Sequence, residues 1–114
     1  MQELLSEKLY NALKEWAEAD KKASLLELKE KPLLGILIAN IKQNDPKISI
    51  LLAEWQARAS DDYKKHIEQM TDARCDAHLK KAMVSKVQEE IDAVKRANFK
   101  ACATARFSNG EGGF

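Results

Sequence analysis

Glycine and proline are scarce in this chain, four and two of 114 residues, and neither occurs between Pro46 and Gly110. That absence leaves a long stretch with nothing in its local chemistry to stop a helix. Aromatic residues are only 6% of the chain, whereas 32% of side chains are charged, a helical composition with little material for sheets. No apolar run approaches the ~18 residues that read as a membrane span. The start, Met1-Gln2-Glu3, lacks the basic and apolar regions of a signal peptide. With only two cysteines as well, the expectation is a cytoplasmic protein with reduced thiols. The formal net charge of +1 gives no global pull toward nucleic acid or acidic surfaces, so an electrostatic function needs local clustering. A chain this short holds one domain with a modest core.

Chemical motifs are missing too. There is no Ser/His/Asp or Cys/His set, no Gly-rich phosphate loop and no HExxH pattern. Cys75 and His78 lie one helical turn apart with Asp72 one turn before, but a structural zinc site wants four ligands, usually several of them thiolates. The reading is therefore no enzyme, no metal and no cofactor. If Cys75 and Cys102 share one helix they stand roughly 40 Å apart, too far to bridge within a chain.

What is present is a heptad pattern from Tyr63 to Ala105. One ladder reads Tyr63, Met70, Ala77, Val84, Ile91, Asn98, Ala105; the other reads His66, Ala73, Lys80, Val87, Val94, Ala101. Two inward positions in seven mark a helix packed lengthwise on other helices. Asn98 reads as a polar residue that fixes register, and Lys80 as one that reaches out from the edge of the contact. Met70, Ala77, Val84, Val87, Ile91, Val94 and Asn98 are the expected oligomerisation residues.

Ahead of this helix, Leu5, Leu9, Ala12, Leu13 and Trp16 form an amphipathic stripe over residues 3–19, with Trp16 read as packed. Asp20-Lys21-Lys22 reads as a polar break, after which Ser24 caps a short turn carrying Leu25, Leu26 and Leu28. Pro32 restarts the chain into the most apolar segment, Leu33 to Ile41, read as helix because no partner strand exists. Asp45-Pro46 is a second restart, with Asp45 as N-cap. Whether the helix then runs unbroken from Pro46 or starts again near Ser60 is open on the sequence. The expected fold is all-α: short N-terminal helices in residues 1–45, packed on one long C-terminal helix in 46–107 that self-associates as a bundle or coiled coil. A disordered Gly-rich tail follows in 108–114.

One local cluster carries function. Arg96, Phe99, Lys100, Ala103, Arg106 and Phe107 share the outer face of the last turns, and the segment 93–107 holds four cations and no acid. Cations bind phosphates and interleaved rings stack on unpaired bases. The nucleic-acid-binding candidates are Arg96, Phe99, Lys100, Arg106 and Phe107, and Lys80, Lys81 and Lys86 extend the basic side upward. The alternative is that both rings pack on the N-terminal helices while the cations favour the helix C-terminus.

The segments Ala59-Ser60-Asp61-Asp62-Tyr63, His66-Ile67-Glu68, Ala73-Arg74 and Ala103-Thr104-Ala105-Arg106 resemble short helical proteins of tailed phages and prophages. The pattern is similar to that of recombination mediators of the UvsY type and covers about the C-terminal half. The resemblance implies a helical homo-oligomer that binds single-stranded DNA and helps load a recombinase in DNA recombination. The rival expectation is a helical protein–protein interaction module, acting as adaptor, chaperone or inhibitor without nucleic acid.

Overall fold

The computed structural model describes the backbone of residues 2–111 and the side chains of residues 4–103. The fold is all-α. Three helices follow one another: α1, Gln2–Asn44; α2, Ile50–Ala59; and α3, Asp61–Glu111. They form a flat rod with extents of 94 × 24 × 15 Å. Its smallest dimension is little more than the ~10–12 Å diameter of one helix, so the rod is a single layer.

α1 and α3 run antiparallel. Lys8 pairs with Glu90, Glu15 with Lys80, and Asp20 with Arg74, so the partner number falls as the chain climbs α1. Buried and half-buried positions on α3 recur at spacings of three and four: Tyr63, His66, Met70, Ala73, Ala77, Lys80, Val84, Val87, Ile91 and Val94. α1 answers with Leu9, Ala12, Trp16, Ala19, Ala23, Leu26 and Glu30. Ala19 and Ala23 pack with Ala73 and Ala77 at the centre, with Leu26 alongside. Methyl-sized side chains let two backbones approach closely but bury little area each. Among the described residues, Val87 is the largest side chain that is fully buried.

Several expectations change here. Of the α3 stripe read as an oligomer seam, Ala77 and Val87 are buried as α1 of the same chain packs along it, while Met70, Val84, Ile91 and Val94 are half-buried. The reason is length, because α1 is one helix of 43 residues where short helices were expected. Lys21 and Lys22 are exposed on its outer side while Ala19 and Ala23 carry the buried stripe past them. Ser24 does not cap a turn; its hydroxyl accepts a hydrogen bond from Arg74 at 3.3 Å. Pro32 lies inside α1 and is exposed. It removes one amide donor without ending the helix, because the chain packs on both sides of it.

The Asp45-Pro46 restart is a turn. The Ile48 amide donates to the Asp45 carbonyl at 3.1 Å, with Pro46 at the position whose fixed φ suits such a turn. Capping falls to Ser49, whose hydroxyl accepts from the Leu52 amide at 3.1 Å. At Ser60 the chain does break. Its backbone is extended, with φ −68° and ψ 152°. Its hydroxyl donates to the Ala57 carbonyl at 2.6 Å and accepts from the Tyr63 amide at 3.3 Å. One serine thus closes α2 and opens α3, and Asp61 and Asp62 sit at the positive end of α3.

Pro32 and Ser60 stand at nearly the same level of the rod, since Tyr63 reaches Glu30. Below that level α1 packs on α3; above it, Leu33 to Ile41 pack with α2 around Ile48, Ala53 and Ala57. At the far end, α3 continues as helix through the first residues of the expected tail, 108–111, and residues 112–114 lie outside those described.

Candidate nucleic-acid interface

Lys8 lies across from Glu90, so the start of α1 at Gln2 is reached about six residues further along α3, near Arg96. Beyond that point no described helix runs beside α3. Every described residue from Lys95 to Ala103 is exposed. Asn98 stands in this overhang, exposed, with no described helix of the same chain against it. The overhang exists because α3 is 51 residues long against 43 for α1, and part of α1 is paired with α2.

Arg96, Phe99, Lys100 and Ala103 recur at helical spacing on this overhang, and the Phe99 ring is 76% exposed. The packed alternative for Phe99 is thereby removed. Arg106 and Phe107 fall on the same helix, but their side chains lie outside the described ones. The last carboxylates before the cluster are already occupied: Glu90 holds Lys8 at 3.2 Å, and Asp92 accepts from Gln88 at 3.1 Å. No acid occurs again before Glu111. The expected upward extension is weaker. Lys80 is held by Glu15 at 3.6 Å, and Lys81 lies 5.8 Å from the centre of the Trp16 ring, which leaves Lys86 as the exposed remainder.

The metal reading gains nothing. Cys75 and His78 border a shallow groove with Met70 and Leu79, whereas Asp72 borders a different one with Lys22 and Gln69. Among the described residues no three His, Cys, Asp or Glu side chains converge on one point. Both cysteines are exposed free thiols.

The contacts of three α3 side chains escaped the sequence reading. Arg74 donates to Asp20 at 2.7 Å, to Glu27, and to Ser24 at 3.3 Å. The Glu27 and Asp20 hydrogen bonds raise the guanidinium above its ordinary value, keeping it charged. Tyr63 donates to Glu30, which pushes its phenol up, assisted by burial. The His66 ring lies 2.8 Å from the Leu26 carbonyl through Nε2. The available signal was Asp20 and Glu27, one heptad apart on either side of Ala23, visible only if α1 is read as continuous. All three side chains staple α1 to α3, which makes these contacts structural.

Among the described residues no helix is long and apolar enough to cross a membrane. Comparison with protein-family models, curated proteins and solved structures finds no match to this chain.

Proposed function

We propose that this chain is a non-enzymatic accessory protein that binds single-stranded DNA through the overhanging end of α3, in the manner of a phage recombination mediator working in the cytoplasm. The observation that carries the reading is the overhang itself: a stretch of α3 with no acid from Ala93 to Gly110, bearing Arg96, Lys100 and an exposed Phe99, with no described helix beside it. A lone helical end of this length is marginal in water and gains order from a ligand. Cations at helical spacing track phosphates, and a free ring stacks on a base that is already unpaired. A duplex hides its base faces and offers this surface phosphates alone.

Fluorescence anisotropy with a single-stranded oligonucleotide and the matching duplex, at two salt concentrations, tests the proposal. The expected result is tighter binding of the single strand and a steep loss of affinity with salt. No binding at low salt would end it. The second reading, an interaction module without nucleic acid, draws on Leu28, Ile50, Leu51 and Trp55, all at least 66% exposed. That module would bind through apolar anchors with little response to salt.

A further inference from the structure

Where α1 stops covering α3, the two helices leave a pocket between them. Leu5 and Ser6 of α1 line it with Ile91, Val94 and Lys95 of α3, around a volume of about 240 Å³. That is below the ~300–1,000 Å³ of a site for a drug-sized molecule, so it has room for one ring system and none for a helix face. Leu5, Ile91 and Val94 are half-buried and form apolar walls, whereas Ser6 and Lys95 are exposed at the rim. Glu90 and Asp92, the nearest acids along α3, do not line it, and Glu90 is turned to Lys8. The pocket also adjoins the overhang. Lys95 lies one turn before Phe99, which makes the two neighbours on the helix surface.

We propose that this pocket takes one base of a single strand whose neighbouring base stacks on Phe99, with Lys95 on the phosphate between them. The inference rests on the DNA reading of the overhang and adds a second base site to it. A nucleotide has the parts that the lining asks for. Its flat ring faces meet Leu5, Ile91 and Val94, and its phosphate meets the Lys95 ammonium. Its polar edge meets the Ser6 hydroxyl, which both donates and accepts and so tolerates any base. An apolar peptide side chain would leave the cation at the rim unused. A duplex keeps its bases stacked, and delivering one here would cost its unstacking. The pocket therefore selects unpaired strand and not sequence.

The test is an NMR titration of the full chain, following the Leu5, Ile91 and Val94 methyls and the Phe99 ring. The probes are a short oligothymidylate and thymidine monophosphate. The oligonucleotide should shift the three methyls and the ring together, and the monophosphate should shift the same methyls at higher concentration, since it lacks the Phe99 contact. Ser6→Phe, at the exposed rim, should close the pocket and weaken oligonucleotide binding about fivefold or more at an unchanged salt slope. Lys95→Ala should lower that slope by about 0.7. The wild-type titration decides the matter even if Ser6→Phe does not fold. Oligonucleotide binding that shifts Phe99 while Leu5, Ile91 and Val94 stay silent overturns the pocket and leaves the DNA reading standing. A monophosphate that binds as tightly as the oligonucleotide overturns the strand as the source of the base. No oligonucleotide binding at low salt ends both readings.

Discussion

The Tyr63 hydroxyl donates a 2.8 Å hydrogen bond to the Glu30 carboxylate, joining the first turn of α3 to α1 just before Pro32. The bond sits where α1 changes partner from α3 to α2, so it holds the junction between two packing units. Tyr63→Phe keeps the ring and removes the donor. The expected loss is about 1.5 kcal/mol in urea unfolding, the lower end of the range for a hydrogen bond to a charged group because Glu30 is only half-buried.

The same bond predicts a pH dependence. The Tyr63 phenol is raised in the folded state, so its contribution is complete below the unfolded value of about 10 and is lost as pH rises through the higher folded value. Stability of the wild type should fall more steeply above that pH than stability of Tyr63→Phe. Parallel curves would show that the phenol does not gain from Glu30.

Pro32 predicts a gain. It is exposed within α1 and supplies no amide to the carbonyl one turn earlier. Pro32→Ala should restore that bond and stabilise the chain by about 1–3 kcal/mol, read as a higher urea midpoint at unchanged slope. A lower midpoint would mean that the junction with α2 depends on a bend at this residue.

Arg74 joins three α1 side chains, so its replacement should matter more than that of an ordinary surface cation. Arg74→Ala is expected to lower the melting temperature, and Arg74→Lys to recover only part, because an ammonium cannot reproduce the planar fork. High salt should shrink the difference between wild type and Arg74→Ala. An equal deficit at high salt would assign the loss to packing of the Arg74 stem.

On the overhang, Arg96→Ala and Lys100→Ala should weaken single-strand binding and lower its salt slope by about 0.7 for each lost phosphate contact. Phe99→Ala should weaken binding by about 1–3 kcal/mol at an unchanged slope, since stacking releases no counterions. Circular dichroism should be unaltered, because the ring is 76% exposed. A fall in slope on removing Phe99 would show that the ring positions the cations instead of stacking.

The sequence by itself determined that the chain is helical and which positions of α3 face inward. A recurrence of three and four from Tyr63 to Val94 reports the buried side of a helix whatever covers it. It also placed Arg96, Phe99 and Lys100 on one face, since helical spacing needs no knowledge of neighbours. The Ser60 break stayed open because a serine before two acids suits a cap and an exposed helical turn equally well. Asp20-Lys21-Lys22 and Pro32 were misleading for a related reason: local propensity is worth less than about 1 kcal/mol for an ordinary residue and about 3 for proline, and packing along a rod 94 Å long outweighs it. Only the tertiary structure decided that α1 packs along the α3 stripe. It alone decided that Asn98 and Phe99 lie past the end of that cover, because exposure depends on where the other helix stops.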